Sequence, residues 1–523
     1  MEGRGRENLS AELQGLAPSE PTWRPHEEKI AVDTRTLAVA WERRTPRNDL
    51  SVRWRRMIFK ADSYGVVDWN ADFGALRSRS NPEPYRRSLA RRIPHLLLLE
   101  AALRSQRLGW RGERQIRGQR YDAIEVDLQE SPKLLLFVAR DPALVGRVEY
   151  LAHLPGRGDV LVGWEWSGWK PDAQLVRAPA SHRVDVAGEP FQEVAYSRFS
   201  GSSPTATAEL LEVPARFLQP ASGMGMGHAM PQTPPSGRAP LPASGMVAPG
   251  VMVASVGPFG VMFVEFRDFV VAFEAPELHP GFEGVGAPSS PSRITAEYLA
   301  LIEKTFPGKP VRYAVISHHH SDHMGGLRVF AAAGAALLVA PGHRAAAARV
   351  LEAQHTLAVD SWTGASGGAR LETVKRRRVI TDGVRTLEVL NVGRNPHTAE
   401  SLLVWLPAER ILMQGDLFYY DEGGSFLLGS RHHEPLLRPL AARAQARAAR
   451  PLRRPQRGRR RPRMARRGGA APRGTKQRPL RSVHTRCIRG ATSSFSGPTR
   501  RLDRHAREQR KTRVHRRGRS GEM

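Results

Sequence analysis

The stretch Ser317-His318-His319-His320-Ser321-Asp322-His323-Met324-Gly325-Gly326 sets His318, His320, Asp322 and His323 in the order His-x-His-x-Asp-His, followed at once by two glycines. Residues two apart on an extended segment point the same way, so His318 and His320 can chelate one ion. Asp322 and His323 follow where the chain turns and can face a second ion beside the first. Imidazole with carboxylate suits zinc best, with iron or manganese as alternatives. His319, between the chelating pair, points away and reads as structural. Gly325-Gly326 lets backbone come close and permits dihedrals that a Cβ forbids.

The elements around this cluster must hold it. Val311-Arg312-Tyr313-Ala314-Val315-Ile316 reads as a buried strand, and Leu327 to Ala333 as a helix. Upstream, the β-rich runs 261–266 and 269–274 are joined at Arg267-Asp268 as a hairpin. Ser292 to Phe306 is an amphipathic helix stopped by Pro307-Gly308. Downstream come Asn395-Pro396-His397-Thr398, an apolar strand at 401–406, and the run Arg410 to Phe418 containing Gly415-Asp416.

The motif at 318–323 and this order of elements resemble the metallo-β-lactamase-fold hydrolases, in their glyoxalase-II-like branch, over roughly residues 247–431. The resemblance implies an αββα sandwich with two zinc ions. It implies His397 as the third histidine of the first metal and Asp416 as a bridge. The first site is then His318, His320, His397 and Asp416, and the second Asp322, His323 and Asp416. The family's closing histidine of the second site has no clear counterpart. His432 and His433 follow Asp416 too soon, and His484, His505 and His515 fall in a stretch read as disordered. The implied activity is metal-dependent hydrolysis, with a zinc-bound hydroxide attacking a small ester, thioester or lactone. Asp322 is the catalytic candidate, orienting the nucleophile and carrying a proton. The neutral imidazoles need outer acceptors that the sequence does not identify. Alternatives are a mononuclear iron dioxygenase of the persulfide type, a non-catalytic apolar-ligand binder, and an inactive truncated family member.

A chain of 523 residues and net charge +29 invites a nucleic-acid reading. The charge is uneven: from His432 to the end there are 29 Lys+Arg and 4 Asp+Glu, leaving 51 and 47 for the rest. The body is therefore near neutral, which favours a small-molecule substrate over nucleic acid. The tail, 432–523, is Arg-, Pro- and Gly-rich and reads as disordered. A shifted reading frame in a GC-rich gene is the favoured account of it, because the family's final helix and strand break off after Arg431. The single cysteine, Cys487, excludes an intrachain disulfide. No apolar run is long enough for a transmembrane helix. No signal peptide is visible, so the reading is cytoplasmic, or extracytoplasmic if the start is truncated.

Residues 1–34 read as disordered and 219–246 as a Pro/Gly/Ser linker. Between them, 35–218 reads as short strands at regular spacing, with a helix from Arg87 to Leu103. In strand pattern alone this segment resembles the antiparallel half-barrel of bacterial lipoprotein carriers. The aromatics of Trp164-Glu165-Trp166 read as core packing, and Arg157-Gly158-Asp159 as a turn.

Overall fold

Residues 1–34 lack an apolar period, yet in the computed structural model Glu2–Asn8 and Trp23–Asp33 are strands, which corrects the disordered reading. Charge pairing across the ladder takes the place of the missing apolar pattern. Arg4 pairs with Glu27 at 3.0 Å, Arg6 with Glu193 at 2.8 Å and Lys29 with Glu2 at 3.3 Å. Arg24 and Arg43 both reach the buried Glu7. Glu2–Asn8 lies between Trp23–Asp33 and Glu189–Arg198. Gly5 allows that close fit, since a Cβ there would stand 2.4 Å from the Glu193 carbonyl oxygen.

The structure describes most of 1–217 and 243–417, together with 481–484. The stretches left out below 417 are 14, 16–19, 47–51, 61–62, 70–72, 79–91, 105–106, 129–132, 155, 172–174, 201–203, 218–242, 257–258, 278–292, 358, 366 and 396.

The N-terminal region is one antiparallel sheet of 13 strands, from Phe73–Ser78 at one edge to Arg107–Ile116 at the other. Helix Pro94–Arg104 packs Leu96 and Leu97 onto it, starting at a proline whose missing N–H costs nothing at that position. The part of the expected helix at 87–91 lies outside the described residues. Trp164 and Trp166, two apart on Gly158–Ser167, face the same core.

The second region is built of two facing sheets. The seven-stranded sheet runs from Ala243–Ala248 to Arg370–Thr373. Val270–Phe273, Val311–Val315 and Ala336–Val339 are parallel neighbours within it. The five-stranded sheet contains Arg377–Thr381, Thr386–Asn391, Leu402–Leu406, Ile411–Gln414 and Arg481–His484. Phe273, Val315 and Leu338 of the first sheet pack against Val389, Val404 and Met413 of the second. On the outer face of the seven-stranded sheet, helix Arg293–Thr305 buries Ile294, Tyr298 and Ile302, spaced four apart on one face. Leu327–Ala332 and Arg344–Glu352 complete that layer.

Two boundaries differ from the sequence reading. Ala243–Ala248 already pairs with Val251–Val256, so the sheet begins inside the expected linker, the rest of which lies outside the described residues. Arg481–His484 is a strand, parallel to Ile411–Gln414, where the tail reads as disordered. Four residues with one apolar side chain show no period, so only the open sheet edge can specify them. The remainder of 432–523 lies outside the described residues. No helix among the described residues is long and apolar enough to cross a membrane.

Candidate metal centre

Val311–Val315 ends at the motif, and Ile316 N still donates to Leu338 O at 3.0 Å, so the chain leaves the sheet at Ser317. His318 and His320 then stand with ring centroids 4.5 Å apart. His320 is extended (φ −63°, ψ 146°) and precedes the short helix Ser321–Met324, which carries Asp322 and His323. The glycines that follow have ordinary negative φ (−58° and −90°), so left-handed dihedrals are not their purpose. They serve close approach: a Cβ on Gly326 would lie 2.0 Å from Thr295 Oγ1.

The facing sheet supplies the remaining groups. Asn395 Oδ1 accepts from the backbone N–H of His397 and of Thr398, both at 2.9 Å, an Asx turn that presents His397. Its Nε2 lies 3.1 Å from His318 Nε2. Asp416 follows Ile411–Gln414, and Gln414 Oε1 accepts from Leu417 N at 2.8 Å to close the turn around it. Gly415 passes so near the motif that a Cβ would meet Ser317 Oγ at 2.4 Å.

Two interlocking ligand sets result. Donor atoms of His318, His320 and His397 lie within 4.8 Å of one another, as do those of His318, His323 and Asp416. Asp416 Oδ1 is 3.3 Å from His323 Nε2, and Oδ2 is 3.6 Å from His397 Nε2. Asp322 Oδ2 stands at 3.7 Å from His323 Nε2, on a largely buried side chain. The six residues singled out in the sequence thus come together at the ends of strands from both sheets. His319 is also buried, packed against His343 at 4.8 Å between ring centroids, and neither of its ring nitrogens has a hydrogen-bond partner.

The electrostatics favour a cation. Burial, reinforced by the surrounding imidazoles, holds the pKa of His318 well below the usual histidine range, leaving a neutral ring with a free lone pair. Burial also lowers that of His320. For His323 burial acts in the same direction, but Asp416, Glu274 and Asp322 outweigh it and raise the pKa well above the usual value. Three carboxylates set around buried imidazoles suit a bound cation, and this donor set fits zinc, iron or manganese.

Sequence reasoning missed the groups behind the ligands. Glu274 ends an apolar strand in a left-handed conformation (φ +76°), with Oε1 3.3 Å from His323 Nδ1 and Oε2 accepting from Ser317 N at 3.3 Å. Its positive φ is the signal of constraint, but φ is not written in the sequence. Ser317 Oγ and His318 Nδ1 share a hydrogen bond of 2.8 Å, and His320 Nε2 lies 2.9 Å from the carbonyl oxygen of Gly15, 305 residues earlier.

Histidines and carboxylates gathered at the strand ends of two facing sheets, with helices on the outer side, form a candidate metal site in an α/β fold. The profile of the Metallo-beta-lactamase superfamily matches residues 286–458, and it is this region that is similar to the superfamily. The match ends beyond Arg431, where the sequence reading places its break. Among solved structures, a metallo-beta-lactamase from Pontibacter korlensis is 20% identical, with 39% of this chain and 86% of that one covered and a TM-score of 0.29. FIM-1 from Pseudomonas aeruginosa in its mono-zinc form is 19% identical, covering 40% and 85%, with a TM-score of 0.28. No curated protein matches the chain.

Proposed function

We propose that this protein is a metal-dependent hydrolase that acts on a small ester, thioester or lactone. The observation that carries the reading is the meeting of His318, His320 and His397 with His323 and Asp416 in two ligand sets that share His318. His318, His320 and His397 would hold the first ion; Asp322, His323 and Asp416 would contribute to the second. A bound zinc supplies Lewis acidity and lowers the pKa of a coordinated water towards about 7. The protein's own part is to fix the donors, exclude bulk water and handle protons. Asp322, beside His323, would take up and pass on a proton at its carboxylate.

A further strand runs beside the one that leads to Asp416. Arg481–His484 runs parallel to Ile411–Gln414 and pairs His484 with Gln414, two residues before Asp416. The helical layer on the seven-stranded sheet and the two-sheet core support an αββα sandwich.

Metal analysis of the full chain, paired with hydrolysis assays on a phenyl ester, a thioester and a lactone, tests the reading. Two zinc equivalents are expected, with His318→Ala abolishing turnover. Hydrolysis that persists after chelation, or in His318→Ala, sinks the proposal. Iron with oxygen consumption would replace it by a dioxygenase.

A further inference from the structure

The contact between Gly15 and His320 joins the N-terminal sheet to the metal centre. A carbonyl oxygen only accepts, so at 2.9 Å the proton of the His320 ring must sit on Nε2. In the neutral form of the ring, the form that can ligate a metal, the lone pair then falls on Nδ1. We propose that the main-chain carbonyl of Gly15 is a positioning group for the metal centre: it fixes the tautomer and ring plane of His320 so that Nδ1 is presented to the first ion. The proposal rests on the metal-dependent reading above and adds that the N-terminal region completes the centre.

The segment carrying Gly15 is built to hold that position. Asn8 Oδ1 accepts from Ser10 N and from Thr22 N, both at 3.1 Å, and Leu9 N donates to Thr22 O at 2.9 Å, closing the segment at its base. Asn8 Nδ2 donates to Pro190 O at 3.2 Å, tying the base to the sheet. Ser10 Oγ donates to Glu20 O at 2.5 Å. Leu13, in a left-handed conformation, is only 5% exposed and enters the apolar core that contains Met324 and Val350. That insertion sets the height at which the next turn meets His320. Gly15 itself has no room for a side chain, because a Cβ would lie 2.0 Å from Ser10 Oγ and 3.0 Å from Ser10 Cβ. Outer partners of this kind typically change metal affinity ten- to a hundredfold.

Zinc affinity of the full-length protein, measured by competition with a chromophoric chelator, tests the role. Gly15→Ala and Gly15→Val should weaken binding about ten- to a hundredfold. Ser10→Gly combined with Gly15→Ala removes the two Ser10 atoms, the 2.0 Å clash among them, leaves Thr22 Oγ1 at 3.0 Å, and should restore it. Long-range ¹⁵N–¹H correlations of histidine-labelled, metal-free protein give a second readout, with His320 assigned by its substitution. The unaltered protein should show the Nε2–H tautomer of His320, and Gly15→Val should lose it. An Nδ1–H tautomer in the unaltered protein overturns the proposal. So does unchanged zinc affinity in both Gly15 variants, provided His318→Ala abolishes binding, and then the metal-centre reading stands. No zinc binding by the unaltered protein overturns both.

Discussion

At the scale of single residues, the centre is a set of imidazoles and buried carboxylates whose orientation depends on partners far away in sequence. Asp416 lies close to a histidine of each ligand set, 3.3 Å from His323 and 3.6 Å from His397. Asp416→Asn keeps the shape and removes the charge. Zinc affinity should fall by at least tenfold while the metal-free protein unfolds at nearly the same temperature; equal affinity in the two proteins would remove Asp416 from the site. Arg328 illustrates a buried charge with a structural task. Its side chain is 3% exposed, ion-paired with Asp360 and bonded to the carbonyls of Leu351 and Ala353. Arg328→Ala leaves Asp360 buried without its partner and should cost about 3–5 kcal/mol in urea unfolding. A loss below about 1 kcal/mol would show that water reaches the pair.

At the scale of elements, the site depends on how closely two strand ends approach. Gly415, after Ile411–Gln414, is pressed against Ser317 and His318, after Val311–Val315. Gly415→Ala should push His318 off its ring position and cost about 1–3 kcal/mol. Zinc affinity should fall although no ligand has been replaced. Full zinc affinity in this variant would mean that the two loops have slack. Helix Arg293–Thr305 needs no such tolerance, because its buried stripe is set by side chains four apart.

At the scale of the whole molecule, the N-terminal sheet is tied to the metal-binding region by polar contacts as well as by Leu13. Asp159 Oδ2 accepts from Thr356 Oγ1 at 2.7 Å and from Leu357 N at 2.8 Å, so the turn at 157–159 is also a clamp. The sheet's buried charges should make stability depend on pH. Burial raises the pKa of Glu7, but Arg43 and Arg24 outweigh it and bring it down to about 2 from 4.5. Burial and Arg43 lower that of His26 to about 4 from 6.5. Both folded values lie below the unfolded ones, so the unfolded chain takes up protons first on acidification. Stability should fall from about pH 6.5 to 4 through His26 and from about 4.5 to 2 through Glu7, by at most about 1.4 kcal/mol per pH unit for each group. Urea titrations at pH 8, 6 and 4 check this; Glu7→Gln should flatten the lower part. Stability that rises on acidification would contradict it.

The sequence by itself pointed to the candidate metal motif, to its place between a strand and a helix and, through the family resemblance, to His397 and Asp416 as candidate ligands. These were legible because ligand chemistry requires particular residue types, and because apolar strands and amphipathic helices carry their periods in sequence. The N-terminal strand Glu2–Asn8 was not legible, since its stability comes from charges on strands 17 to 187 residues away. Nor were Glu274, Ser317 and Gly15 as partners of His323, His318 and His320. A carbonyl oxygen is the same on every residue, so only the tertiary structure could decide that the one from Gly15 meets His320.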